Sequence, residues 1–203
     1  MVKHRQNNAK ISLRAAVLLV IGALVIEYLL LESPAWASTR KYLASQAAAG
    51  YRYKNLVYNL EGYSISLDLL EDTKVHVTPD KGEELLFNVY FINDTPQFRG
   101  YIQLWRLEDL EHFLTSSRYL SLFDFISYSM TNLPNAAAKG FKTEWSADFG
   151  DRFVSGQEFW WSINNSDHVI RLSFFCDTKD FPEKLIAVIQ HIVDSVKVES
   201  TAN

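Results

Sequence analysis

RFVSGQEFWWSI (Arg152–Ile163), then NNSD (Asn164–Asp167), then HVIRLSFFC (His168–Cys176), is the stretch whose reading decides the fold. Two runs rich in aromatic and β-branched residues flank four turn formers, the pattern of a β-hairpin. Folding it about Asn165-Ser166 sets Trp161 opposite Ile170, Phe159 opposite Leu172 and Trp160 opposite Arg171. On the same face as Trp160, Glu158 falls opposite Ser173 and diagonal to Arg171. A cation can stack on the indole there and pair with the carboxylate across the strands. Glu158, Trp160 and Arg171 are therefore the candidate binding residues, since an exposed aromatic–charge cluster is where binding energy concentrates. The same trio also suits a structural ladder at the sheet surface or beneath a helix.

Working outward, Tyr63–Leu69 alternates apolar and polar residues strictly, and Lys74–Val77 repeats that briefly before the turn Pro79–Gly82. Leu85–Ile92 and Phe98–Trp105 make a second hairpin around the loop Asn93–Gln97. Leu85–Ile92 is apolar at most positions, as in a strand covered on both faces. Lys139–Ser146 is a weaker strand. Leu107, Leu110, Phe113 and Leu114 line one helical face; Leu122, Phe125, Ile126, Met130 and Leu133 line another, which Pro134 and Asn135 break. A last helix begins near Pro182, with Asp180 and Glu183 at capping-box spacing and Phe181, Leu185, Ile189, Ile192 and Val196 at helical spacing. Before these, Ser38–Ala49 reads as a modest helix ended by Gly50, and Tyr51–Tyr58 as an extended connector. The order β-β-β-β-α-α-β-β-β-α predicts an α+β fold, a mainly antiparallel sheet with helices packed on it. It forms one domain over residues 56–199, behind a linker at 32–55.

Ahead of the linker, Ala15–Leu31 is apolar apart from Glu27, and the preceding residues 1–14 carry Lys3, Arg5, Lys10 and Arg14 without an acidic residue. Such a segment enters a bilayer, and the basic cluster holds its start in the cytoplasm. It predicts a single-pass transmembrane anchor with the folded domain outside the cytoplasm at the cell membrane. The alternative is a signal helix: Ala35-Trp36-Ala37 fits an A-x-A site, and cleavage after Ala37 makes the domain secreted.

Composition excludes several classes. Beyond residue 31 the chain keeps 16 basic and 23 acidic residues, so nucleic acid is a poor partner. Cys176 is the single cysteine and lies in an apolar run, the setting of a buried hydrophobe. Asn93 and Asn164 start N-x-S/T sequons in predicted turns. His4, His76, His112, His168 and His191 have no second ligand at metal-binding spacing, and Glu108, Asp109 and Glu111 beside His112 suit a capped, solvated first turn. With no phosphate loop, G-x-S-x-G or H-E-x-x-H, no catalytic, cofactor-binding or metal-ligating residue is assigned.

The order of elements from Gly62-Tyr63-Ser64-Ile65-Ser66-Leu67 onward resembles the PsbP-like domain, whose α/β/α sandwich is shared with the Mog family of Ran-binding proteins. The likeness covers about residues 56–198. It rests on the Gly-Tyr-Ser-Ile strand, on Ile102-Gln103-Leu104-Trp105 with a helix behind it, and on the closing hairpin with Asp194-Ser195-Val196-Lys197. It implies a sandwich and carries over no functional residue. The expected function is a membrane-anchored, extracytoplasmic, non-enzymatic binding or accessory domain that meets a protein of the cell envelope. Two other classes stand beside it. A small-ligand receptor needs a pocket of about 300 Å³ or more between the sheet and the Leu107–Leu133 helices. A secreted hydrolase needs nucleophile, base and orienter within hydrogen-bond reach of one another.

Overall fold

The computed structural model describes residues 34–60, 62–78, 82–121, 123–133, 139–163, 166–178 and 181–201. The chain divides into two compact units, Met1–Leu43 and Ala44–Asn203. Ala15–Leu31 lies outside the described residues, and so do Pro79–Asp80, Pro134–Asn135, Asn164–Asn165 and Asp180. Among the described residues no helix is long and apolar enough to cross a membrane.

The elements run α1 (Pro34–Ala49), β1 (Tyr53–Leu60), β2 (Tyr63–Leu70), β3 (Lys74–Val77), β4 (Leu85–Asp94), β5 (Gln97–Arg106), α2 (Leu110–Leu120), β6 (Phe125–Asn132), β7 (Gly140–Asp148), β8 (Phe153–Ser162), β9 (His168–Cys176), α3 (Glu183–Asp194) and β10 (Lys197–Ser200). Every strand pair is antiparallel. The strands form a small sheet, β1-β2-β10, and a seven-stranded sheet, β3-β4-β5-β9-β8-β7-β6. This is an α+β fold.

The main core lies on one face of the large sheet. Alternation along β2 buries Ile65, Leu67 and Leu69. Leu67 and Leu69 join Val89, Phe91, Ile102, Phe159, Leu172 and Phe174 of the large sheet, while Ile65 packs with Leu104 and Ile170. Leu185, Val188, Ile189 and Ile192 of α3 complete the layer at spacings of three and four, one stripe of a helix. Each such side chain contributes about 1.5–3 kcal/mol by leaving water. Ser195 stops α3: its hydroxyl donates to Ile192 O at 2.6 Å and accepts from Asp68 N at 2.8 Å, which ties the helix end to β2.

Several expectations need correction. The stretch read as a second helix, Leu122–Leu133, contains strand β6. Its register shifts between Phe125 and Ser127, a bulge that leaves Ile126 unpaired and returns Phe125 and Tyr128 to one face. That single extra residue imitates a helical spacing of three, while Ser127, Ser129 and Thr131 still alternate outward. Tyr51–Tyr58 is no mere connector, because Tyr53–Leu60 pairs along its whole length with β2. The chain end read as helix through Val196 turns into strand β10. Asn93 is no turn residue: it lies buried in β4, accepting from Thr73 Oγ1 at 3.0 Å and donating to Pro96 O at 2.8 Å. The N-cap of α3 is Pro182, without a side-chain cap bond. Cys176 is buried, and burial raises its thiol above the usual cysteine range, so it packs as a small hydrophobe.

Candidate functional site

Side chains on a strand alternate between faces, so the large sheet has a second face to cover. Seven strands at about 4.8 Å spacing make a surface roughly 29 Å across. The element laid on it, α2, has 11 residues and is about 16 Å long. It docks at one end: Leu110 and Leu114, with Phe113, pack on Phe141, Trp160 and Val169. Asp109 caps the helix by accepting from His112 N at 3.0 Å, so the acidic residues around His112 do form a capped first turn. One short helix cannot roof the sheet. What it leaves open is a cleft of about 450 Å³.

Eleven of the 21 residues lining this cleft are aromatic. They come from β4 (Tyr90), β5 (Tyr101, Trp105), α2 (Phe113), β6 (Phe125, Tyr128), β7 (Trp145), β8 (Trp160) and β9 (Phe175), with Phe123 and Phe149 from the connections. Phe123 and Phe149 are exposed and meet in a tilted contact with centroids 5.0 Å apart, forming a rim. The floor holds the buried Thr143, Val154 and Trp160, and Leu114 of α2 packs on it. Burial raises the Tyr128 phenol above its usual range, and the Glu158 carboxylate pushes it the same way. Gly156 in β8 is required by close approach. A Cβ there falls 2.2–2.6 Å from the indole of Trp145, its cross-strand partner on β7.

The three candidate residues meet at this floor, in the register read from the hairpin: Trp160 pairs with Arg171, and Glu158 with Ser173. The Arg171 guanidinium lies 4.9 Å from the Trp160 ring centroid and donates from Nη2 to Glu158 Oε1 at 2.6 Å. Glu158 Oε2 accepts from Trp160 Nε1 at 3.1 Å. The cluster extends further. Arg171 Nη1 donates to Gln103 Oε1 at 2.9 Å, Gln103 Nε2 donates to Asn88 Oδ1 at 3.0 Å, and Trp105 Nε1 donates to Gln103 Oε1 at 3.1 Å. A polar chain thus crosses β4, β5, β9 and β8 under the cleft. Two buried side-chain atoms lack a hydrogen-bond partner among the described residues, Arg171 Nε in this chain of contacts and Thr143 Oγ1 on the neighbouring β7.

One expectation about the trio fails. Trp160 is 2 % exposed and Glu158 8 %, so the cluster is not an exposed patch but the base of a recess. Helix α2 covers it, because Phe113 packs against Trp160 in a tilted contact with centroids 5.8 Å apart. Reading the hairpin missed the residues that make the recess a cleft. Phe125, Tyr128, Trp145 and Arg118 sit on β6, β7 and α2, which face the hairpin only once the sheet is assembled. The alternation of β7 carried a signal for Trp145; the bulge hid that of β6. Among the described residues no group of three His, Cys, Asp or Glu side chains is arranged to hold a metal ion.

No family model matches the chain, and no curated protein matches it. Among solved structures it is similar to Mog1p, a Ran-binding protein of Saccharomyces cerevisiae, at 9 % identity and a TM-score of 0.48, covering 73 % of this chain and 96 % of that one. It is also similar to PA94, a putative regulator of unknown function from Pseudomonas aeruginosa, at 12 % identity and a TM-score of 0.33, covering 67 % and 92 %.

Proposed function

We propose that this chain is a non-enzymatic binding protein whose Ala44–Asn203 unit takes a small, flat, largely apolar molecule in the aromatic cleft. The cleft itself carries this reading. Its volume of about 450 Å³ falls in the range of about 300–1,000 Å³ typical of small-molecule sites, and apolar walls around a few polar groups are the usual construction. An accessory role toward another envelope protein remains compatible with it, the cleft then responding to its ligand.

The test uses 6-fluoro-2-naphthamide, a neutral planar probe, titrated into the full chain in detergent and followed by ¹⁹F line width. Ser117 on α2 lines the cleft, and its substitution Ser117→Phe fills the space between helix and sheet. Detergent takes up the probe equally for both chains, so the difference reports the cleft. Saturable binding in the parent chain, weakened at least about tenfold in Ser117→Phe, is expected from the loss of an apolar site. Equal broadening with both chains removes the reading.

We further propose that the domain works outside the cytoplasm, carried there by Ala15–Leu31 with the basic residues Lys3, Arg5, Lys10 and Arg14 retained inside. A full-length chain tagged at its C-terminus is expected in the membrane fraction, or in the medium if cleavage follows Ala37. Recovery of the tag freely dissolved in cytosolic extract contradicts export.

A further inference from the structure

We infer that the molecule bound in the cleft is an anion, an aryl carboxylate or a compound of like shape and charge, oriented by Arg118. The inference rests on reading the cleft as a ligand site and adds the chemical class.

Charge is distributed against the trend of the chain. The protein carries a net charge of −4, yet the cleft is lined by four arginines, Arg99, Arg118, Arg152 and Arg171, and one acidic residue, Glu158. Most of this positive charge is committed. Arg171 is paired with Glu158 at 2.6 Å. Arg99 and Arg152 share a single carboxylate, Asp177, the first in direct contact and the second at 3.7 Å. Arg118 has no carboxylate within 4 Å among the described residues; its guanidinium lies instead 4.7 Å from the centroid of the Tyr128 ring. The cleft therefore holds an excess of cationic charge, and Arg118 is where it is uncommitted.

Position makes that charge useful. Arg118 follows Leu114 by one helical turn, and Leu114 packs on the floor while Arg118 is exposed. Residues four apart share a helix face, so the guanidinium stands above the aromatic floor, at the open side. Its planar fork matches a carboxylate with two parallel hydrogen bonds, and the stack on Tyr128 limits the orientations it must give up on binding. Beneath it, in the sheet, Arg171 Nε and Thr143 Oγ1 are buried polar atoms without hydrogen-bond partners among the described residues. A polyanion is disfavoured, because the acidic surface beyond the cleft repels it.

The experiment compares 6-fluoro-2-naphthoate with 6-fluoro-2-naphthamide, nearly equal in shape and different in charge, on the full chain and on Arg118→Gln and Arg118→Lys. The parent chain is expected to favour the carboxylate about tenfold, as a charge-assisted pair does over a neutral one. Arg118→Gln should bring that ratio to about twofold or below, and Arg118→Lys should restore part of it, keeping charge without the fork. Parent-chain preference near one overturns the anion assignment, and a preference that survives Arg118→Gln overturns the role given to Arg118, while amide binding keeps the cleft reading intact. Binding of neither probe removes both.

Discussion

Trp160→Ala lowers the stability of the domain by about 4 kcal/mol, within the range for aromatic-to-alanine changes in a core. The indole is 2 % exposed and is enclosed by Trp105, Phe113 and the Arg171 guanidinium, with centroid distances of 6.3, 5.8 and 4.9 Å. Alanine leaves a void beneath α2 and removes the N–H that Glu158 Oε2 accepts. Losing a donor to a buried carboxylate adds to the cost of the void. In a domain of this size the change corresponds to a fall in Tm of roughly 8–16 °C. Denaturant titration of the full chain checks it, with Trp160→Phe expected between the two because it keeps most of the volume. A loss below about 1 kcal/mol would mean that the side chain is held at the surface.

Gly100→Ala has an effect of similar size from the opposite cause, too much matter. Gly100 lies in β5 between its partners Phe91 of β4 and Phe174 of β9. A Cβ there falls 1.8 Å from the Ser173 carbonyl oxygen and 2.6 Å from Phe91 Cζ. The nearer atom is backbone, so no rotamer change relieves it; β5 and β9 must part at the middle of the large sheet. Phe91 is fully buried and has no space to retreat into. Overpacking costs about 1–3 kcal/mol and occasionally more, and a clash with the ladder itself belongs at or beyond the top of that range. The control is Gly82→Ala, where nothing lies within 4 Å. It should stay within about 0.5 kcal/mol of the parent. Unfolding free energies from urea titration that differ by less than about 1 kcal/mol between the two variants would contradict the packing at Gly100.

The elements legible in the sequence are those whose pattern comes from one unbroken rule. Tyr63–Leu69 alternates and is β2; His168–Cys176 is β9 residue for residue; Leu185, Ile189 and Ile192 mark α3. Hairpin pairing also followed from the turn, so Trp160 was placed opposite Arg171 correctly. What stayed illegible is long-range. Whether Trp160 faces water depends on α2 docking over it, and no local pattern encodes that contact. Strand β6 was hidden by its bulge, since one added residue turns a period of two into an apparent period of three. Strand β10 is only four residues long and exposed throughout, so it has no apolar signature to read. The cleft follows from a mismatch in size between helix and sheet, a property of the assembly and of no single segment.

The position of β2 between β1 and β10 bears on how the chain acquires its shape. Tyr53–Leu60 is made immediately before β2 and can pair with it at once, whereas Ile65 finds Val198 only after some 130 further residues have been polymerised. A nascent polypeptide on the ribosome thus carries a two-stranded ribbon with one raw margin until its closing strand emerges. Closing so long a loop delays productive folding, as contacts distant in sequence do.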